Sequence, residues 1–415
     1  MRRREARSRG RAYSTNPVQN AKFFRQGFNP PMTRVYLDHN ATTPLRPEAR
    51  AAVLAALDFA GNASAVHREG RQARRIVEEA RSAVARLVGA DARCVTFTSG
   101  GSEAAATLLS PGFVGRGGAR EPFTRLIVSA IEHSCVLAGG RFAPEAVSVC
   151  PVDGEGRIDL HRLAALLGED HGPALVAVMA ANNETGVIQP LTEVAALCRA
   201  HGAGFVVDAV QALGKLPLDM AALDCDALFL SGHKIGAPQG VGATITASEG
   251  VTFPPLVRGG GQEGRRRAGT ENLGGIAGFG AAAAAVSGTM AAEIKRLAAL
   301  RDWLEGEIIT ISTASRVIGL PAERLANTSL TVHPGFEGET LVIALDLAGV
   351  AVSTGSACSS GKIAPSHVLA AMGVAGNAAR SALRVSLGWT TTRDDVEQFL
   401  AAFAAHAKTI AARAA

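Results

Sequence analysis

The run Ala227-Leu228-Phe229-Leu230-Ser231-Gly232-His233-Lys234 decides how this chain is to be read. Four consecutive apolar residues closed by a hydroxyl and a glycine read as a strand buried on both faces. Its carboxyl end passes into a loop bearing an imidazole and a primary amine. Twenty-six residues before Lys234, the apolar run Gly204-Phe205-Val206-Val207 ends in Asp208, with Gln211 shortly after. Further out, Val95-Thr96-Phe97-Thr98, Arg125-Leu126-Ile127-Val128-Ser129 and Leu175-Val176-Ala177-Val178-Met179 repeat the pattern. Segments of helical period separate them, such as Leu191 to His201 with apolar Leu191, Val194, Ala195 and Cys198. From about Glu48 to Val286 this alternation predicts an α/β fold, a mostly parallel central sheet with helices on both faces. Ligands of such sheets bind outside the carboxyl ends of the strands, where Asp208 and Lys234 lie.

After Gly280 the character changes, and an alanine-rich amphipathic helix is expected from about Met290 to Ile308, opening a second domain. Beyond it, Thr328–Val332, Val350–Ser353 and Ala382–Leu387 suggest a smaller sheet with helices on one side. The expected division is an extension over 1–31, a segment 32–49 that begins with the strand Val35–Leu37 and joins the small domain, a large domain 50–286 and a small α/β C-terminal domain 287–415.

The chain has 415 residues, 47% hydrophobic and 19% charged, enough for roughly two or three domains by the ~150-residue prior. The formal charge of +5 has its source in the first 31 residues, where Arg2, Arg3, Arg4, Arg7, Arg9, Arg11, Lys22 and Arg25 face only Glu5. The remaining body is close to neutral, and Arg265-Arg266-Arg267 is too short for a nucleic-acid tract. The leading segment resembles an organelle transit peptide in composition; a tail ahead of a start at Met32 explains it equally well. Cys94, Cys135, Cys150, Cys198, Cys225 and Cys358 form no Cys-x-x-Cys pair, which argues against a zinc site or a disulfide framework and for a reducing compartment. The longest apolar stretch, Gly274 to Ala292, is built of Gly and Ala and reads as a packed helix rather than a membrane span.

A Schiff-base lysine and a carboxylate for a pyridinium nitrogen are the two groups pyridoxal phosphate most needs from a protein, and Lys234 with Asp208 supplies both types. Alone, each has a plainer reading, a solvated loop lysine and a helix cap. Thr98-Ser99-Gly100-Gly101-Ser102-Glu103 carries a strand into two glycines and a helix start, the arrangement whose free N–H groups and dipole receive a phosphate; a simple Ser102 cap is the alternative. His133 follows the strand Ile127-Val128-Ser129, where an imidazole suits stacking on a ring, moving a proton, or capping a helix. Asn182-Asn183-Glu184-Thr185-Gly186 brings amides to the next strand end. Arg384, inside an apolar strand, suits a substrate carboxylate or an internal ion pair. Cys358 lies in Ser353-Thr354-Gly355-Ser356-Ala357-Cys358-Ser359-Ser360-Gly361-Lys362, a stretch of small residues that offers a thiol nothing to be buried in. Such a thiol suggests a nucleophile, with Lys362 near enough in sequence to favour thiolate.

Together these residues resemble the cysteine desulfurases of the class V aminotransferase group, in the NifS/IscS-type subgroup (group I) whose catalytic cysteine sits in a long Ser/Gly-rich loop. The resemblance spans about Val35 to Gly388. It is carried by Tyr36-Leu37-Asp38-His39-Asn40-Ala41-Thr42-Thr43-Pro44, His67-Arg68-Glu69-Gly70-Arg71, Glu132-His133, Asn182–Gly186, Ser231–Lys234, Arg267-Ala268-Gly269-Thr270-Glu271-Asn272, Gly355–Ser359 and Leu383-Arg384-Val385-Ser386-Leu387-Gly388. It implies a homodimeric fold-type I enzyme that uses pyridoxal 5'-phosphate to convert L-cysteine to L-alanine, leaving sulfur as a persulfide on Cys358. By the same resemblance Lys234 carries the cofactor, Asp208 meets the ring nitrogen, Gln211 and Asn183 meet the ring oxygen, and His133 stacks on the ring. Gly101, Ser102, Ser231 and His233 bind phosphate, joined by Thr270 from the other subunit, while Arg384 and Asn183 hold substrate. Sulfur then passes to an acceptor protein such as an iron–sulfur scaffold or a tRNA-thiolation carrier. No metal, membrane or direct nucleic-acid contact is expected, and the implied compartment is the cytoplasm, or an organelle matrix if the leader is a transit peptide. The competing readings are a selenocysteine lyase or another class V lyase or aminotransferase and, from a different class, an inactive sulfur-relay or partner-binding homologue.

Overall fold

The computed structural model describes residues 34–117, 121–169, 171–355 and 366–414, with side chains as far as residue 410. Its strands in chain order are β1 (Val35–Tyr36), β2 (Val95–Thr98), β3 (Arg125–Ser129), β4 (Val147–Cys150), β5 (Ala174–Met179), β6 (Gly204–Asp208), β7 (Ala227–Ser231), β8 (Gly242–Thr246), β9 (Arg316–Val317), β10 (Thr328–Val332), β11 (Val350–Ala351) and β12 (Ala382–Ser386). Seven form one sheet in the order β2-β8-β7-β6-β5-β3-β4. The pairs from β7 to β4 are parallel, and β8 alone runs against its two neighbours. Strands β3, β5, β6 and β7 are buried along their whole length, as unbroken apolar runs require when helices cover both faces.

Two strands of this sheet escape the sequence reading. In β8, Gly242-Ala243-Thr244-Ile245-Thr246 is small and partly polar and lacks an apolar run, yet every residue is buried in its place between β2 and β7. In β4, an edge strand, Val149 remains 54% exposed, so the run lacks the apolar continuity of its neighbours.

Strand β10 pairs antiparallel with β12 and with β9, making a second, three-stranded sheet. The stretch at 350–353 enters differently from the expectation. Residues Val350–Ala351 pair in parallel with β1, and only Ser353 reaches the second sheet, by a bridge to Arg384. Asp38, just past β1, makes a parallel bridge to Ser386. The early segment is thereby stitched to the C-terminal strands.

The helix expected to begin near Met290 is in fact one continuous helix, Leu273–Ile311, and the expected boundary at residue 286 falls inside it. Its first part, including Phe279, Ala282 and Val286, packs in the cluster beneath the large sheet, while Leu297, Leu304 and Ile308 pack with Phe399 and Phe403 in another. Glycines that weaken a helix in isolation are needed here for close approach. A Cβ on Gly280 would stand 2.5 Å from Ala80 Cα, and one on Gly278 would stand 2.7 Å from Pro238 Cδ. By length and composition this helix is apolar enough to cross a membrane, and half of its most apolar window is buried inside the fold.

Candidate active site

The carboxyl ends of the parallel strands open onto a cavity of about 450 Å³. Gly101, Ser102, His133, Asn183, Asp208, Gln211, Ser231, His233, Lys234 and Arg384 all line it, so ten of the residues singled out in the sequence converge. Thr270 does not line it and is exposed on this chain. Cys358 and Lys362 lie outside the described residues. Ser353 and Gly355, immediately before that stretch, do line the cavity.

Lys234 follows β7 through a turn over Gly232–Ile235. Its Nζ donates to the carbonyl oxygens of Asn40 (2.6 Å) and Ala41 (3.0 Å). Burial and then the Arg384 charge bring its pKa down to about 8, against the opposing pull of Asp38 and Asp208. Asp208 ends β6 with its Oδ1 accepting the Val210 N–H at 2.9 Å, and burial raises its carboxyl to about 6. A buried carboxylate held this high is improved by a cation or a donor in the cavity.

His133 begins the short helix Ser134–Leu137 and caps it, its Nδ1 accepting the Cys135 N–H at 3.2 Å. The ring therefore caps that helix and also lines the cavity. With Nδ1 committed as an acceptor, the neutral ring carries its proton on Nε2. Burial, Lys234 and His367 lower the pKa of this ring. Behind it Glu132 is fully buried, with Oε1 taking Ser129 Oγ–H at 2.5 Å and Met179 N–H at 2.8 Å. Burial and then Asp208 push its carboxyl up to about 8.

At the other wall, the helix Gly101–Leu108 points its first turn inward, and a Cβ on Gly101 would meet Val210 Cγ2 at 3.2 Å. Ser231 and His233 border the same space. Glu103, next to Ser102, pairs with Arg267 at 3.0 Å, which engages one residue of the arginine-rich loop. Arg384 forms the internal ion pair, one of its two readings from the sequence. Its Nη2 pairs with Asp38 Oδ1 at 2.7 Å and its Nη1 donates to the Asn183 carbonyl at 3.0 Å, while its buried Nε has no partner. A buried N–H without an acceptor leaves part of the guanidinium's donor capacity unused.

Four neighbours went unselected in the sequence reading. Asp38 and Asn40 belong to a quoted motif but were assigned no role; Asn40 is 2% exposed, and its carbonyl accepts both Lys234 Nζ and Gln211 Nε2. Lys215 bonds the Gln211 and Asn40 side chains. Cys135 lines the cavity with its Sγ 3.1 Å from His133 Nδ1, and burial pushes its thiol up to about 12. Only Cys135 had a local signal, its place two residues after His133.

The class-V aminotransferase family model matches residues 35–399. The chain belongs to that family. Within this class-V aminotransferase the match includes every cavity residue named above. A cysteine desulfurase of Cereibacter sphaeroides is 44% identical over 375 residues, covering 89% of this chain and 94% of that protein. The cysteine desulfurase NifS of Azotobacter vinelandii is 40% identical over 374 residues, covering 89% and 91%. Among solved structures, the NifS-like protein of Rickettsia africae superposes with a TM-score of 0.81 at 34% identity, covering 89% of this chain and 98% of that one.

Proposed function

We propose that this chain is a cysteine desulfurase dependent on pyridoxal 5'-phosphate. What carries the reading is the convergence on one cavity of the Lys234 amine, the buried Asp208 carboxylate, the His133 ring, the Gly101–Ser102 helix start and the partly unpartnered Arg384. The donor set fits the cofactor at both ends, with N–H groups at a helix N-terminus for a phosphate and a carboxylate of raised pKa for a pyridinium nitrogen. Ser231 and His233 border the phosphate end, Gln211 and Asn183 the ring oxygen. Thr270, exposed on this chain, would complete the phosphate site of a second copy in a homodimer. The relatives named cysteine desulfurase supply the substrate.

When bound, pyridoxal phosphate supplies a ring that accepts the electron pair released at the substrate Cα. Lys234, with a pKa near 8, holds its amine ready both to attach the aldehyde and to take the Cα proton. Arg384, which lines the cavity, orients the cysteine carboxylate with its planar guanidinium. His133 presents Nε2–H to the substrate side and moves a proton there. Cys358 attacks the substrate sulfur as thiolate, the substrate C–S bond breaks, and L-cysteine plus enzyme thiol becomes L-alanine plus enzyme persulfide. Gly355 lines the cavity and is three residues from Cys358, about 10 Å of extended chain. The persulfide then passes to an acceptor protein of iron–sulfur assembly or thiolation. The described cysteines Cys94, Cys135, Cys150, Cys198 and Cys225 are all free, in keeping with a reducing compartment such as the cytoplasm.

The test is incubation of the cofactor-loaded protein with L-cysteine, measuring alanine and protein-bound sulfane sulfur. Cys358→Ala should abolish sulfur transfer and keep the cofactor's visible absorption, while Lys234→Ala should lose the absorption band itself. Undiminished sulfur transfer in Cys358→Ala would overturn the assigned nucleophile, and keto-acid formation without sulfane sulfur would overturn the reaction.

A further inference from the structure

The Lys215 amine is a group that the chemistry above does not use. It lies four residues after Gln211, beyond β6. The preceding Gly214 has φ +70°, and a Cβ there would stand 2.8 Å from Val286 Cγ1 and 2.9 Å from Ile235 Cγ2, so the chain turns hard against the long helix. The Lys215 Nζ donates to Gln211 Oε1 at 2.7 Å and to Asn40 Oδ1 at 2.9 Å. Among the described residues no carboxylate forms an ion pair with it, although burial, Lys234 and Arg384 all act against its charge.

Nζ donates to the oxygen end of each amide it meets, Gln211 Oε1 and Asn40 Oδ1, and can do so with or without its third proton. With Oε1 of Gln211 held by Lys215, Nε2 is the other end of that amide, and it donates to the Asn40 carbonyl at 3.0 Å. The same carbonyl receives Lys234 Nζ. Asn40 is oriented by the same logic. Its Oδ1 takes Lys215 and Asn327 Nδ2 (3.0 Å), leaving Nδ2 to donate to the Asn183 carbonyl (3.1 Å) and Thr328 Oγ1 (2.9 Å). A Gln211 amide has two N–H groups and one is spent on Asn40, while the side chain borders the cavity. Two contacts therefore hold the amide this way round, the Asn40 carbonyl accepting from its nitrogen and the Lys215 amine donating to its oxygen.

We propose that Lys215 is a positioning residue that locks the Gln211 amide with its nitrogen toward Asn40 and the cavity, so that a bound molecule meets an N–H donor beside the Lys234 amine. The ligand class this selects is one with an anionic oxygen next to its reactive carbon. The inference rests on the reading that the cavity holds pyridoxal phosphate with Gln211 at its ring oxygen.

The experiment compares the native chain with Lys215→Met, Gln211→Leu and the double variant, reading the equilibrium affinity of apo-protein for pyridoxal phosphate and the pH midpoint of the bound cofactor's absorption. A donor on the ring oxygen stabilises its anion and loosens the proton shared with the neighbouring nitrogen. Its loss should weaken affinity about fivefold to tenfold and raise the midpoint by about 0.5–1 unit. Lys215→Met should reproduce most of the Gln211→Leu change, and the double variant should show no more than Gln211→Leu alone. Lys215→Arg, with a neighbouring cavity of about 50 Å³ to receive the longer side chain, should keep the native midpoint. Should Lys215→Met fail to fold, Lys215→Ala, which likewise removes the donor, carries the same test. A midpoint that moves in Gln211→Leu but in no Lys215 variant, or fully additive effects, overturns the positioning role alone. Failure of the native protein to take up pyridoxal phosphate overturns both readings.

Discussion

The Lys234 amine should react with an aldehyde far faster near neutrality than an ordinary lysine. Only the neutral amine is nucleophilic, and burial with the Arg384 charge brings the pKa from 10.5 to about 8. At pH 7 that leaves roughly one amine in ten neutral, against roughly one in three thousand for an unperturbed lysine, an advantage of about 300-fold. Apo-protein exposed to a small aldehyde and cyanoborohydride, with modification at Lys234 followed by peptide mass spectrometry, should show a rate rising about tenfold per pH unit until near pH 8 and level above. The two charged neighbours give the test a sign. Arg384→Gln removes a positive charge and frees Asp38, so the midpoint should rise; Asp38→Asn removes a negative charge, so it should fall. Stability follows the same linkage: between about pH 8 and 10.5 the unfolded chain binds more protons at this site than the folded one, so this group makes the apo-protein more stable as pH rises through that window. A native midpoint near 10.5, or both substitutions moving it in one direction, would refute the electrostatic account.

Glu132 gives the opposite slope. Its folded pKa is raised from 4.5 to about 8, so the folded state binds more protons in that window and stability falls as pH rises through it. Glu132→Gln should flatten that dependence in thermal unfolding followed from pH 5 to 8, and an unchanged slope would assign it elsewhere. Gly280→Ala places a Cβ 2.5 Å from the Ala80 backbone, which must move; about 1–3 kcal/mol of stability should be lost in denaturant unfolding, and a stabilised variant would contradict the packing. Arg81→Met should cost about 3–5 kcal/mol by the same assay, because it leaves the buried Glu263 carboxylate without its two-pronged partner at 2.7 and 2.8 Å.

The central strands were legible because β3, β5, β6 and β7 are buried on both faces, and an unbroken apolar run has few other uses in a soluble sheet. Strand β8 was not, since its burial comes from its neighbours rather than from its own apolarity. The long helix illustrates the same divide: its Gly/Ala stretch reads as a packed helix, but that it runs on unbroken into the amphipathic segment, with Ala80 and Pro238 pressed against its glycines, comes only from the fold.

The one-dimensional chain determined which groups are available at strand ends, an amine at 234, a carboxylate at 208, an imidazole at 133 and a small-residue helix start at 101, because strand and helix periods are local properties. Tertiary structure alone decided that β1 would lie against β11 and bring Asp38 to Arg384 and Asn40 to Lys234 and Lys215, contacts between residues 175 to 346 positions apart. Their energies depend on burial and on charges supplied by distant segments. No local pattern encodes an amide whose orientation is set by a lysine that, among the described residues, forms no ion pair.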